Sequence, residues 1–249
     1  MRATFCSCMK QSVFSIAFFA SAAGCVIVLI FASVDAITEA LRTKELLEAG
    51  WHNAQLLNAV KSDAFMLTVP ILAAIPYATA FVDDLKSGYI RLYLHRTTFG
   101  RYLISKIAVC TITGGLAIII GYFAVYAIFT GFFMPAEAPG GGGGFFDMLK
   151  CALNVFLTGC LWSCVGMLLS AVTENRYISY VSPFIVCYLL IILHERYARD
   201  FYALYPVEWL TPVKNWPFGG FSVSLLVLEL IAICIALFLL IGERRLRRL

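Results

Sequence analysis

The chain has 249 residues, 61% of them hydrophobic and 14% charged, and a mean hydropathy of +0.86. A water-soluble globular domain is about 45–50% apolar and about 25% charged, so this composition excludes an ordinary soluble domain and makes lipid the solvent for much of the surface. The net charge of +4 is modest, and no Lys/Arg stripe interleaved with aromatic residues offers a nucleic-acid surface.

Six segments are apolar for long enough to cross a bilayer core: 14–34, 64–81, 103–133, 148–170, 178–194 and 221–241. A crossing takes about 20 helical residues. The first segment follows Arg2 and Lys10, as a signal peptide would, but it is too long for a typical signal-peptide core and lacks an A-x-A cleavage site. It reads as a retained helix. The stretch 35–63 reads as a helical excursion, with Leu41, Leu46, Leu47, Leu56, Leu57 and Val60 on amphipathic turns broken near Gly50. The second and fifth spans are short and carry proline (Pro70 and Pro76; Pro183). A spanning helix tolerates proline where a neighbour satisfies the freed carbonyl. The third span is longer than a crossing needs, and Gly114-Gly115 is a candidate bend. Segment 134–147 carries Pro139 and the glycines at 140–144, a flexible tip with no phosphate-loop lysine after it. Segment 195–220 concentrates Phe201, Tyr202, Tyr205, Trp209, Trp216 and Phe218, aromatics that favour the membrane–water interface.

With the N-terminus inside, 12 of the 19 Lys and Arg residues fall in inner segments, and the other 7 are diluted by acids. The positive-inside rule then places both termini and the loop 82–102 in the cytoplasm. The nine cysteines lie in or beside apolar runs or in the N-terminal segment. They read as small buried hydrophobes, with acylation of Cys6 or Cys8 as the alternative.

Enzyme signatures are lacking. The sequence has no Gly-Lys dipeptide and so no G-x-x-x-x-G-K-[ST] phosphate loop, no H-E-x-x-H and no G-x-S-x-G. Its three histidines, His52, His95 and His194, sit apart, and His194-Glu195-Arg196 reads as a solvated cluster at a helix end. The most informative stretch runs from Phe81 to Arg96. Phe81, Leu85, Tyr89, Leu92 and Tyr93 recur at helical spacing with charges between them, which describes a short amphipathic helix at the inner surface. Two readings stay open: a loop held at the membrane by its charge, or a docking helix for a cytoplasmic protein. Glu229 falls in the middle of the last span. A charged side chain at the bilayer centre costs about 2.5–3.5 kcal/mol on insertion scales for Asp, Lys or Arg. Glu229 is therefore either a protonated interhelical hydrogen-bonding group or a residue of a translocation path or subunit interface.

The order Asp83/Asp84, Gly88, Arg96, Tyr102 and Lys106 resembles the inner loop of ABC-2 permeases, the membrane domains of type-2 ABC exporters. The layout of nearly the whole chain is similar. The resemblance implies an all-α membrane fold of six helices, an amphipathic N-terminal segment, and a short re-entrant element between helices five and six. It implies an ATPase-docking loop at Asp83, Asp84, Gly88, Tyr89, Arg91 and Arg96. It also implies two copies of a cytoplasmic ABC ATPase that bind ATP and Mg, and a second permease subunit, identical or related. The chain itself is then not an enzyme, and its place is the cell membrane, as in the bacterial cytoplasmic membrane. Amphipathic peptides come first as substrates, ahead of lipids or small hydrophobic drugs. A membrane-embedded enzyme or a structural or sensor subunit is the alternative.

Overall fold

The computed structural model describes residues 2–43, 46–90, 98–138, 144–212, 216 and 221–246. Arg91 and Arg96 and most of the glycine run lie outside these residues. The described chain is helical: α1 (Arg2–Val13), α2 (Ile16–Ala32), α3 (Val34–Thr43), α4 (Trp51–Val60), α5 (Asp63–Ala74), α6 (Ala80–Lys86), α7 (Phe99–Phe133), α8 (Phe145–Thr173), α9 (Arg176–Tyr197), α10 (Pro206–Leu210) and α11 (Phe221–Leu246). No strand occurs among the described residues. Four helices, α7, α8, α9 and α11, are long and apolar enough to cross a membrane. The number rises to six if the bent pairs α1–α2 (52°) and α4–α5 (67°) each form one span. The protein is an integral membrane protein.

Helix α8 is the hub. The most apolar stretch of α8 is 78% buried, against 22–33% for the other three long helices, and α8 packs on α5, α7, α9 and α11. Lipid is as apolar as leucine, so helices in a membrane associate through close packing and hydrogen bonds, which favours small residues at the contact. The α7–α8 seam follows that rule. A side chain added at Gly114 would meet Ser163 and stand 2.8 Å from the Ala73 carbonyl oxygen; one at Gly115 would stand 2.8 Å from the Phe156 carbonyl oxygen. The Ser163 hydroxyl donates to the Cys110 carbonyl at 2.9 Å across the same seam. Gly114-Gly115 is therefore a packing site. The bend expected there is absent as a break, because α7 is continuous from Phe99 to Phe133.

The second expected span departs more. Its helix ends at Ala74, residues 75–79 form turns, and a new helix starts at Ala80. Pro76 is the cause: it has no N–H for the Leu72 carbonyl four residues earlier, and its ring crowds that turn. The Leu72 oxygen accepts instead from the Ser21 hydroxyl of α2 at 2.7 Å and from the Ile75 N–H at 3.3 Å. The neighbour-satisfied carbonyl expected from sequence is thus present, on a helix that breaks rather than continues.

Long-range contacts define two ends of the bundle. The proximal end holds α6, the start of α7, the α8–α9 turn and the end of α11. The distal end holds α4, the end of α7, the start of α8 and α10. The excursion 35–63 is two helices, α3 and α4, with Gly50 at the left-handed φ of +83° that starts the second, close to the break read from sequence. Between α9 and α11, the five-residue α10 turns back among the long helices, setting Trp209 6.0 Å from Trp162 of α8.

Candidate functional site

The acidic pair Asp83–Asp84 lies on the last turns of α6 and divides its work between two partners. Asp84 faces inward. Its carboxylate lies 2.7 Å from the Lys106 ammonium of α7 and accepts a 2.6 Å hydrogen bond from the Tyr102 hydroxyl. The Lys106 side chain is only 8% exposed. It also donates to the Tyr77 hydroxyl at 3.1 Å and lies 5.2 Å and 5.8 Å from the ring centres of Tyr77 and Tyr102. A buried ammonium is tolerable only with such a complete set of partners, and loss of one partner of a buried pair strands the other charge. Asp83 faces outward. It pairs with Arg176, the first residue of α9, at 2.5 Å, and accepts from the Thr79 hydroxyl at 2.9 Å.

A third ion pair closes the same end. Glu174 sits in the left-handed region, φ 54°, as the cap of α8. Its carboxylate meets Arg245 near the end of α11, and Arg245 also donates to the Val172 carbonyl at 2.6 Å. The proximal ends of α6, α7, α8, α9 and α11 are thereby tied pairwise.

Gly88 follows the α6 cap residue Ser87 at φ +71°, with open space where a side chain would stand. The left-handed backbone ends α6 in the usual way for a glycine just past a helix. The single amphipathic helix expected from Phe81 onward is therefore interrupted: Phe81 is fully buried in the core, while Gly88 and Tyr89 are exposed. Arg91, Arg96, Leu92 and Tyr93 lie outside the described residues.

Glu229 stands apart from this cluster. It is exposed on α11, on the side turned away from the packed bundle, and makes no hydrogen bond or ion pair among the described residues. Of the nine cysteines, all unpaired, Cys25, Cys110, Cys151, Cys160, Cys164 and Cys187 are buried and Cys6 is exposed. His194 is buried rather than solvated, stacked on Tyr205 at 4.6 Å.

Sequence reading missed three features. One is the pairing role of Arg176, Glu174 and Arg245. Another is the distal contact of His52 with Glu137, at 2.6 Å between imidazole and carboxylate. The third is Glu208, buried on α10 and accepting from the Trp216 indole at 3.2 Å. The Glu137 carboxylate also takes the backbone N–H groups of Gly50 at 3.0 Å and His52 at 2.8 Å. Burial pushes its pKa up, but the backbone and side-chain hydrogen bonds of His52 and the Gly50 N–H outweigh that and hold the carboxyl below its ordinary value.

Comparison of the chain with protein-family models, curated proteins and solved structures gives no match to any of the three.

Proposed function

We propose that this chain is the transmembrane subunit of an ATP-driven ABC exporter whose ATPase is a separate cytoplasmic protein that docks at the proximal end. One observation carries the reading. The acidic pair at the mouth of the 87–98 segment is wired to two different long helices, Asp84 to α7 through a buried lysine and Asp83 to α9 through Arg176. A load applied to this segment is passed mainly to α7, because the buried Asp84–Lys106 pair resists separation, and more weakly to α9 through the half-exposed Asp83–Arg176 pair. On this reading the two bent pairs are spans, six in all, and α10 is the re-entrant element. Both termini and the proximal end face the cytoplasm, consistent with Lys86, Arg101, Lys106, Arg176, Arg244 and Arg245 at that end. Two ATPase copies supply ATP and Mg binding, and a second permease subunit completes the path. The proposed membrane is a plasma membrane, as of a bacterium, and the proposed cargo is an amphipathic peptide.

Gly88 gives the test, because it is exposed and has space around it. Asn tolerates a left-handed backbone and Trp adds bulk, so Gly88→Asn should behave like the parent. Gly88→Trp should still insert in membranes while losing most of its stimulation of a co-purified ATPase. No ATPase activity is expected from the chain alone. Normal stimulation by the Trp variant, or failure of any ATPase to co-purify with the chain, removes this reading.

A further inference from the structure

At the distal end, a cavity of about 590 Å³ opens between α4, the first turns of α8, α10 and the start of α11. That is within the range of small-molecule sites. Its lining is sorted by depth and by chemistry. Exposed Lys61 and Lys150 stand at the rim, and Asp147, 3.6 Å from Lys150, offsets one of the two positive charges. The floor is polar and buried: Asn154, Ser224 and Thr211 are 5%, 6% and 6% exposed. The Ser224 hydroxyl donates to the Asn154 side-chain oxygen at 2.9 Å, a bond that uses none of the Asn154 amide N–H donors. The Thr211 hydroxyl is buried with no hydrogen bond among the described residues. One wall is apolar. Leu57 and Leu210 continue into Leu153 and Phe221, which are 48% and 64% exposed on the outside of the bundle.

Buried polar groups are normally hydrogen-bonded, so an unpartnered hydroxyl beside an amide that still has donors to offer marks a place for a ligand atom. The rim carries a net single positive charge and asks for an anion. The apolar wall leads outward between helices, where an alkyl chain of an amphiphile would lie, and a bare anion would leave it unused. We infer that the distal cavity binds an anionic amphiphile, with a phosphate-bearing head held by Lys61, Lys150, Asn154 and Thr211 and an acyl chain along Leu153 and Phe221. The inference rests on the cavity alone and is independent of the ATPase reading.

The test uses the purified full chain in a neutral detergent. It is titrated with dioctanoyl phosphatidylglycerol, dioctanoyl phosphatidylcholine or inorganic phosphate, and followed by native mass spectrometry and thermal unfolding. One phosphatidylglycerol should bind per chain and raise Tm, at least fivefold more tightly than the zwitterionic lipid, and inorganic phosphate should leave Tm unchanged. The double variant Lys61→Gln with Lys150→Gln should weaken phosphatidylglycerol at least tenfold without altering the lipid-free Tm, because both side chains are exposed. Leu153→Trp, at a half-exposed wall position, should obstruct the path of the acyl chain and weaken binding independently of charge. Equal binding of the two lipids, parental affinity in the double variant, parental affinity in Leu153→Trp, or equally tight binding of inorganic phosphate would each overturn the assignment.

Discussion

The two ends of the bundle use charge differently. At the proximal end three pairs among the described residues join different helices: Asp84 to Lys106, Asp83 to Arg176, Glu174 to Arg245. At the distal end Glu137 reaches from the end of α7 to the first N–H groups of α4, a short helix bent sharply against α5. The first arrangement couples helices to one another. The second caps one helix and holds it across the end of the bundle, a favourable place for a carboxylate because unpaired N–H groups carry partial positive charge. An end built from inter-helix pairs is suited to transmit movement, and an end built from a cap is suited to hold a cover in place.

The sharpest way to break the comparison is Lys106→Met, which strands the Asp84 carboxylate. Loss of one member of a buried pair costs about 3–5 kcal/mol. Unfolding by denaturant in detergent should register that loss, and adding Asp84→Asn should restore most of it. A single variant that loses under about 1 kcal/mol would show that the pair is solvated in the working protein.

At the distal end Glu137→Gln should cost less, about 1.5–3 kcal/mol for hydrogen bonds to a charged group. The effect should be local, seen as faster amide exchange at Gly50 to His52 with the proximal end unchanged. Because the folded-state pKa of Glu137 is held below its ordinary value, its contribution is complete above the ordinary carboxylate range. It is lost as pH falls through the lowered value. The protection factor of the His52 amide, exchange corrected for the intrinsic pH dependence, should therefore fall on acidification in the parent and be flatter in the Gln variant; identical acid profiles would remove the ionised cap.

Gly88→Ala sharpens the division between backbone and contact. No described residue comes within 4 Å of a Cβ there, so among these residues only the left-handed φ opposes it, at about 1–2 kcal/mol. Thermal unfolding that is unchanged would mean the α6 terminus relaxes freely. Arg176→Gln should be milder, about 0–1 kcal/mol, because both partners are about half exposed. Glu229→Leu should be the smallest, within about 0.5 kcal/mol in the isolated chain, since the residue faces away from the bundle. A larger destabilisation of the monomer would place a partner for Glu229 inside the chain.

The sequence by itself determined the membrane class and, to within a few residues, the positions of α7, α8, α9 and α11, because insertion depends on side-chain transfer energies averaged along a local window. It also placed a break in the excursion near Gly50. The tertiary structure alone decided which charges meet. Glu174 and Arg245 are 71 residues apart and His52 and Glu137 are 85 apart, and no periodicity links such positions. It decided that Gly114-Gly115 packs a seam instead of bending a helix, since a glycine reads the same in both roles until the facing helix is known. Pro76 announced a disturbance, but that Ser21 of α2 donates to the Leu72 carbonyl beside the break is decided by packing, since the two residues are 51 apart in the chain.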